Sequence, residues 1–384
     1  MRDVLVIGGG PVGTFTAAVL AASGLDVEVW ERRTAASDHS RAIGIHPPSL
    51  HAFAKLGVDE AFLEQAVLIH SGIATSRGRE LGVVSFDRSD ARYPFIVAIP
   101  QSTTSSILNR KLSELTPDAL RMGVRLDALR FDGPVVHAVG TADADGPSPR
   151  PVTTSARYVV GADGARSLVR RLLGIRAPER TYPDSYVMGD FADETGAGST
   201  AVIHLEPGGV VESFPLPHGV RRFVVRTDEP ADGITPDDLA QLVHTRTGLR
   251  VDPTTSTMVS AFGVRRRIAH RMVHGRVILL GDAAHEISPI GGQGMNLGWG
   301  DAIAFAELIA RGVRAGTSPM HALEAVGASR VRAARRAARQ AEANMALGRP
   351  AHGPALLARD AMLRLALATP ARRILADAYT MRWL

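Results

Sequence analysis

Residues 3–31 have the sequence DVLVIGGGPVGTFTAAVLAASGLDVEVWE, and this stretch decides the fold. It begins with a mostly apolar run of strand length, which a glycine-rich turn follows at residues 8–13. Residues 14–22 are rich in alanine and other helix formers, and residues 27–30 are a second strand candidate. A strand, a glycine turn, a helix and a strand within about thirty residues predict a βαβ unit.

The glycines of this turn follow the pattern GxGxxG. The first permits a tight turn, the second lets the backbone approach a pyrophosphate, and the third lets the helix pack on the strand. The helix N-terminus offers free N–H groups to phosphates, and Glu31 is placed to accept hydrogen bonds from a ribose. The pattern predicts a dinucleotide site, and a purely structural turn is the alternative. The candidate contacts are Gly8, Gly10, Pro11, Val12, Gly13, Glu31 and Arg32.

A second glycine-rich segment favours FAD over NAD. The apolar residues 277–280 lead into Gly281 and Asp282, and the sequence PIGGQGMN at residues 289–296 then opens a helix. An aspartate at the carboxyl end of a strand is well placed to bond a ribityl hydroxyl. A glycine-rich helix N-terminus stabilises negative charge, which a reduced flavin carries on its pyrimidine edge. The arrangement therefore suits an isoalloxazine ring.

Composition limits the other possibilities. The chain has 384 residues, 45% hydrophobic and 22% charged, which predicts one large domain with a second attached. It has no cysteine, so redox chemistry requires a bound cofactor, and we expect no metal site. Its arginines are spread along the chain, so we expect no nucleic-acid partner. With no long uncharged apolar window and no signal peptide, we expect no membrane segment and a cytoplasmic location.

The chain changes character at residues 185–226, where alternating β-rich stretches such as AVIHLE and RRFVVR are separated by glycine and proline turns. This pattern predicts an antiparallel meander inserted into an α/β domain. We further expect strands at 124–139 and 152–160, and helices at 48–56, 102–115, 235–247 and 297–314. The expected division is 1–70, 101–180 and 271–320 for the FAD-binding domain, 71–100 and 181–270 for the substrate domain, and 321–384 for C-terminal helices.

An arginine-rich run occupies residues 330–339, where the arginines alternate chiefly with alanine. An amphipathic membrane helix needs bulky apolar residues opposite its charges, which this run lacks. We therefore expect a solvated helix, with weak binding to anionic lipid or to acidic partners as the alternative.

Three motifs in order resemble those of the class A flavoprotein aromatic hydroxylases, the p-hydroxybenzoate hydroxylase-like FAD monooxygenases. They are GGGPVG at 8–13, GADGARS at 161–167 and GDAAHEISPIGGQGMN at 281–296, with lesser matches in SRAIGI around Arg41 and IPQS around Gln101. The resemblance spans nearly the whole chain. It implies a Rossmann-like FAD-binding domain with an inserted antiparallel β-sheet substrate domain and a helical C-terminus.

The resemblance also implies roles for individual residues. Asp163 and Gly164 resemble the motif that serves both FAD and the pyridine nucleotide, and Asp282, beside Gly281, resembles the residue that bonds the ribityl chain. Arg41 and Gln101 resemble flavin contacts. The segment that resembles the flavin-facing loop and helix end contributes Pro289, Gly292, Gly294, Met295 and Asn296.

The implied reaction is hydroxylation of an aromatic or heteroaromatic small molecule. NADH or NADPH would reduce FAD, and the reduced flavin would capture O₂ as a C4a-hydroperoxide whose distal oxygen attacks the ring. The protein must hold the ring and exclude water, and no acid or base is strictly required. The residues expected at this centre are Arg41, His46 and Pro289. We expect a monomer or homodimer, without room for the thioredoxin-like C-terminal domain of longer hydroxylases.

Substrate contacts are expected from the inner face of the β-sheet domain. The candidates are His204, Ser213, Arg222, Phe223 and Phe262, each of which has the alternative of an ordinary surface or structural group. Arg222 is the candidate clamp for a substrate carboxylate. The compact chain resembles family members that act on salicylate-like, hydroxybenzoate-like or quinolone rings.

Three other functions are compatible with the cofactor motifs. A flavin-dependent halogenase needs a suitably placed lysine and a WxWxIP segment, but the tryptophans lie far apart at positions 30, 299 and 383. An FAD-dependent reductase or oxidase acting on a hydrophobic or polyketide-like substrate is the main alternative. A non-catalytic flavin-binding protein is the third, and the complete set of motifs disfavours it.

Overall fold

A computed structural model describes residues 1–35, 42–144, 146, 148–231 and 233–384. The strands are β1 (Arg2–Ile7), β2 (Val27–Glu31), β3 (Gly44–Ile45), β4 (Val67–Ile69), β5 (Ser71–Ser76), β6 (Arg79–Ser85), β7 (Ile96–Ala98), β8 (Leu120–Met122), β9 (Val124–Asp132), β10 (Val135–Ala142), β11 (Arg150–Gly161), β12 (Glu179–Ala192), β13 (Ala201–Glu206), β14 (Gly209–Leu216), β15 (Val220–Thr227), β16 (Met258–Ile268), β17 (Val273–His274), β18 (Val277–Leu279) and β19 (His285–Glu286).

The helices are α1 (Pro11–Ala22), α2 (Pro47–Ala54), α3 (Asp59–Leu63), α4 (Gln101–Leu115), α5 (Leu168–Leu172), α6 (Pro236–Thr247), α7 (Gln293–Ala315), α8 (Met320–Leu347), α9 (Gly353–Ala368) and α10 (Ala371–Tyr379). Among the described helices, none combines the length and the apolar character that crossing a bilayer requires.

The first sheet has the order β17-β18-β11-β1-β2-β8, with the hairpin β9–β10 attached through β11. Strands β18, β11, β1, β2 and β8 run parallel, and the βαβ unit of β1, α1 and β2 forms as the sequence predicts. The parallel arrangement brings the carboxyl ends of β1, β11 and β18 to one edge, where an open α/β sheet binds its ligands. The single strand expected at residues 124–139 is wrong, because the chain turns at Gly133 and pairs with itself as β9 and β10.

The second sheet has the order β19-β16-β12-β15-β14-β13-β5-β6. Its pairs are antiparallel except for β13 with β5, so the meander expected within 185–226 is present and extended on both sides. A small third sheet joins β3, β7 and β4. Strand β7 thus pairs outside the second sheet, although it lies within the segment 71–100. The proposed domain limits remain a prediction.

The two faces of the second sheet pack against different partners. Helix α6 covers one face, where its Leu239 and Val243 join Phe191 and Phe223 in one apolar cluster. The other face packs against Ile290 and the C-terminal helices. We call this second side the inner face, because Ile290 belongs to the segment that precedes α7.

The arginine-rich run lies on α8. Its arginines at 332, 335, 336 and 339 are exposed, as expected for a solvated helix. Arg330 is different: it is buried, and its Nε donates to Asp301 Oδ1 at 2.7 Å. The expectation of a wholly solvated run is therefore wrong at this one residue, which ties α8 to α7.

Candidate functional site

The turn between β1 and α1 is packed tightly against itself and against the next strand. A Cβ at Gly13 would lie 1.9 Å from the carbonyl oxygen of Gly8, and a Cβ at Gly8 would lie 2.3 Å from that of Ala162. Gly10 is different, because nothing lies within 4 Å of its Cβ position. It precedes α1, whose first residue is Pro11 and whose N-terminus has no side-chain cap. The turn therefore leaves an open approach to uncapped N–H groups, which a diphosphate requires.

Glu31 ends β2 beside this turn. Its Oε2 accepts from Gly9 N at 2.7 Å, and its Oε1 accepts from the backbone N of Arg33 at 2.9 Å and from the Arg33 Nε at 2.8 Å. Burial alone would raise the pKa of Glu31, but these hydrogen bonds outweigh it and hold that pKa below its usual value. The carboxylate is thus ionised and held in place beside the turn. Arg32 is exposed at the rim.

The Asp163-Gly164 motif follows β11 at the same edge of the sheet. One carboxylate oxygen of Asp163, Oδ2, accepts from Leu168 N at 2.6 Å and from Val169 N at 3.1 Å. The other oxygen, Oδ1, is buried and has no hydrogen-bond partner among the described residues. Gly164 has φ +77° with open space at its Cβ position. A buried unpaired acceptor of this kind needs a donor that the described chain does not supply.

Asp282 follows β18 at the same edge of the sheet. Its side chain is exposed, and the surrounding protein raises the pKa of its carboxyl group. Gly281 before it has φ +56° and packs on Val12, whose methyl group would lie 3.3 Å from an added Cβ. The first and the last glycine motifs are thus in direct contact.

A buried ion network behind Asp282 was not predicted from the sequence. Nε2 of His285 and Oδ2 of Asp301 are 2.5 Å apart, and Arg330 binds the other oxygen of the same carboxylate. Burial alone would lower the pKa of His285, but Asp301 and then Asp282 outweigh it and raise that pKa. Burial would raise the pKa of Asp301, but His285 and Arg330 outweigh it and lower that pKa. Asp301 lies eight residues after the start of α7, and nothing in the sequence indicates that its side chain contacts His285.

The N-terminus of α7 is held by Asn296. Its side-chain oxygen accepts from His46 N at 2.9 Å and from Ser49 Oγ at 2.7 Å, and its Nδ2 donates to Gly44 O and Gly292 O. The side chain of Asn296 therefore joins the glycine loop to the segment before α2. Gly294 and Met295, in the same first turn, are half-buried, and Pro289 is exposed in the loop.

Two further buried groups at this helix end have unused hydrogen-bonding capacity. Both side-chain atoms of Gln293 and both ring nitrogens of His46 are buried without a partner in the described chain. The His46 ring lies beside the backbone of Gly292, Gly291 and Tyr379, and burial lowers its pKa to about 4. His46 is therefore a neutral ring at physiological pH. Gln293 was missing from the sequence-based candidates, although its place between two motif glycines could have indicated it.

Gln101 begins α4, and its Oε1 accepts from Ala42 N at 3.4 Å. It thus holds the chain next to Arg41. Arg41 itself, expected beside the flavin, lies outside the described residues.

The residues at this edge fit FAD on structural grounds. The approach at Gly10 is open, and buried polar atoms without partners are found at Asp163, Gln293 and His46. Asp282 is exposed at the same edge of the sheet. A nucleotide with a diphosphate, a polyol chain and a ring bearing several donors and acceptors would use these groups.

The five candidates for substrate contact divide between the two faces of the second sheet. His204, Ser213 and Phe223 lie on the face that α6 covers, since His204 is paired with Val211 and Ser213 with Phe223. The expectation that all five lie on the inner face is wrong for these three, because strand side chains alternate between faces.

Arg222 and Phe262 lie on the inner face. Phe262 stacks with Tyr186 at a ring-centroid distance of 5.6 Å. Arg222 is buried, and its Nε and Nη2 donate to the two oxygens of Asp190, each at 2.6 Å. That bidentate pair commits the guanidinium to a carboxylate of the protein itself.

Comparison with known proteins places the chain in a family. A family model described as an FAD binding domain matches residues 1–341. The chain belongs to this family. A rifampicin monooxygenase from Streptomyces venezuelae is 34% identical over 319 residues, covering 79% of this chain and 62% of that protein. A 12-dehydrotetracycline 5-monooxygenase/anhydrotetracycline 6-monooxygenase from Streptomyces rimosus is 32% identical over 343 residues, covering 85% of this chain and 66% of that protein. The chain thus spans less than two thirds of the length of the first of these relatives.

Two solved structures resemble this chain over nearly its whole length. The anhydrotetracycline hydroxylase OxyS from Streptomyces rimosus superposes with a TM-score of 0.80 at 30% identity, covering 99% of this chain and 76% of that one. The p-nitrophenol 4-monooxygenase PnpA from Pseudomonas putida DLL-E4 gives a TM-score of 0.86 at 24% identity, covering 99% and 98%. The latter shares the fold. FAD as cofactor and the p-hydroxybenzoate hydroxylase-like fold class are therefore confirmed.

Proposed function

We propose that this FAD-binding protein is a monooxygenase that consumes NADH or NADPH and O₂ and hydroxylates an aromatic or heteroaromatic small molecule. The names of the relatives support this, since rifampicin and tetracycline intermediates are aromatic compounds and both enzymes are monooxygenases. The observation that carries the proposal is the convergence of buried polar atoms without partners on one crevice beside an apolar sheet face.

The protein's part in this chemistry is binding and orientation. The open turn at Gly10 would receive the diphosphate, Glu31 a ribose, and Asp282 the ribityl hydroxyls. Gln293 and the helix end at Gly292 would hold the polar edge of the flavin ring. Bound and reduced by the nicotinamide cofactor, FAD supplies the electrons that activate O₂ for transfer of one oxygen atom.

The ring to be hydroxylated would lie between the flavin ring and the inner face of the sheet. Phe214, Phe262 and Ile290 supply apolar surface there, and Pro289 borders the same loop. Such surface excludes water from the reacting atoms. His46 is uncharged, so it offers a hydrogen bond without adding a charge that would hold water in the site. Arg41 stays a candidate contact.

The experiment that tests the proposal is oxygen labelling. Aromatic compounds are screened for those that stimulate NADH or NADPH oxidation by the FAD-loaded protein, and the products formed under ¹⁸O₂ are analysed by mass spectrometry. We expect product with one labelled oxygen atom. A product without label would contradict hydroxylation and favour the reductase or oxidase.

We further propose a cytoplasmic location, where NADH and NADPH are produced, and a monomer or homodimer as the active form. Sedimentation of the FAD-loaded protein tests the latter, and a larger assembly would contradict it.

A further inference from the structure

Glu212 is a carboxyl group on the inner face of the sheet for which the described residues supply no counterion. It lies on β14, and its cross-strand neighbours are Ile203 on β13 and Val224 on β15. Phe214, two residues along β14, shares its face because strand side chains alternate. The Glu212 carboxyl forms no hydrogen bond or ion pair with any residue that the structure describes, and burial raises its pKa to about 7.

Two tyrosines from other elements interact electrostatically with Glu212. Tyr186 comes from β12 and Tyr379 from the end of α10. Burial chiefly, and then the carboxylate of Glu212, raise the pKa of both phenols, that of Tyr379 to about 12. Both phenols therefore stay protonated, and neither supplies a positive charge to balance the carboxylate.

A series of packing contacts links the strand of Glu212 to the proposed flavin loop. Phe214 and Tyr379 lie in one apolar cluster with Ile43, the residue that precedes β3. The backbone of Tyr379 also lies beside the His46 ring, which in turn borders the glycine loop before α7. Glu212 thus lies on the sheet face against which Tyr379 and the segment before α7 pack.

Two described arginines on the same face already have carboxylate partners. Arg222 is held by both oxygens of Asp190. Arg226 donates to Asp184 at 3.1 Å and to Asp228 at 2.7 Å. A carboxylate group on a substrate would therefore meet the negative charge of Glu212, while these two arginines are already paired.

We propose that Glu212 determines substrate class: it accepts a hydrogen bond from a hydroxyl or amino group on an uncharged aromatic ring and disfavours ring carboxylates. This inference rests on the proposed function, because it assumes that the aromatic substrate lies on the inner face. It replaces the expectation of salicylate-like or hydroxybenzoate-like substrates with neutral phenols and aryl amines.

A matched pair of probes tests this assignment on the FAD-loaded protein. 2-Naphthol and 2-naphthoate have the same ring, and differ in being a neutral donor and an anion between pH 6 and pH 8. Their dissociation constants are measured from the change in the flavin absorption spectrum. Because a hydrogen bond to a charged acceptor is stronger than one to a neutral group, we expect 2-naphthol to bind at least about tenfold more tightly than 2-naphthoate at pH 8.

The pH dependence separates a charge effect from a shape effect. Glu212 ionises as the pH rises through about 7, so naphthoate binding should weaken and naphthol binding should strengthen between pH 6 and pH 8. Glu212→Gln keeps the size of the side chain and should remove both trends. Glu80→Gln, at an exposed glutamate on β6, is the matched control and should retain them.

The result that overturns the assignment is a wild-type protein that binds neither probe, or prefers naphthoate, or a Glu212→Gln variant that keeps the wild-type preference and pH trends. The oxygen-labelling experiment distinguishes this failure from that of the proposed function. Labelled product together with a preference for naphthoate rejects the role of Glu212 alone. An intact naphthol preference without labelled product rejects hydroxylation and retains the recognition site.

Discussion

The nucleotide crevice and the inner face of the sheet differ in whether their buried carboxylates have partners in the described chain. Behind the crevice, Asp301 is fully buried and is paired on both oxygens, by His285 and by Arg330. On the sheet face, the carboxyl group of Glu212 has no such partner among the described residues. A compensated charge supports the scaffold, whereas an uncompensated charge is available to interact with a ligand.

The polar side chains at the start of α7 also differ in how many hydrogen bonds they form within the described chain. Asn296 uses all of its hydrogen-bonding capacity within the protein, while Gln293, three residues earlier on the same helix, uses none in the described chain. Within one motif, Asn296 therefore holds the loop, while Gln293 is available to bind a ligand.

The largest expected effect comes from breaking the compensated network. Asp301→Ala leaves His285 and Arg330 buried without their shared carboxylate, so we expect a loss of about 3–5 kcal/mol in the free energy of unfolding. Urea denaturation monitored by fluorescence measures it. Asp377→Ala removes a half-exposed ion pair with Arg382 and should cost less than about 1 kcal/mol. Equal losses in the two variants would show that the network does not stabilise the protein.

Asp282→Ala removes a proposed ribityl contact rather than a structural pair. We expect FAD affinity to fall by about tenfold to a hundredfold, since a hydrogen bond to a charged group contributes about 1.5–3 kcal/mol. The stability of the apoprotein should change little, because the side chain of Asp282 is exposed and forms no hydrogen bond with any described residue. Fluorescence titration with FAD and urea denaturation of the apoprotein measure the two quantities. A variant that purifies yellow with wild-type affinity would contradict the placement.

Two glycines of the first turn distinguish ligand contact from packing. Gly10→Ala adds a methyl group in open space at an extended φ of −75°, so it should leave apoprotein stability unchanged and weaken FAD binding about tenfold. Gly13→Ala directs the same methyl group at the Gly8 carbonyl, so it should destabilise the apoprotein. If Gly10→Ala bound FAD normally, the diphosphate would not lie against this turn.

The smallest expected effect is a pH dependence of stability through His285. Its pKa is raised in the folded protein, so its contribution is complete below its ordinary pKa of 6.5 and is lost as the pH rises through the folded value. The difference in unfolding free energy between wild type and His285→Gln should therefore shrink above pH 6.5, by at most about 1.4 kcal/mol per pH unit. A difference that grows with pH would reverse the assignment.

The crevice could be predicted from sequence because its requirements are local. Gly8 and Gly13 are fixed by backbone approaches within a few residues and to one neighbouring strand, and the aspartates at 163 and 282 follow directly from strand ends. Such constraints leave fixed spacings along the chain. The fold class and the cofactor follow from those spacings.

The sheet face could not be predicted in the same way. Whether His204 or Ile203 lies on the inner face depends on the strand register, and a shift of one residue exchanges the faces. The pairing of Arg222 with Asp190 joins residues 32 positions apart. The sequence motif identifies only the start of α7, so it does not show that Asp301, further along this helix, contacts His285. Glu212 was absent from the candidates because the sequence of β14 does not show which residues of β13 and β15 lie opposite it.

Titration of the apoprotein with FAD, followed by flavin fluorescence and by absorption at 450 nm, tests the central claim most directly. The account predicts saturable binding of one FAD per chain, with a yellow complex that Asp282→Ala and Gly10→Ala bind more weakly. A folded apoprotein that stays colourless and leaves the flavin fluorescence unchanged would contradict it.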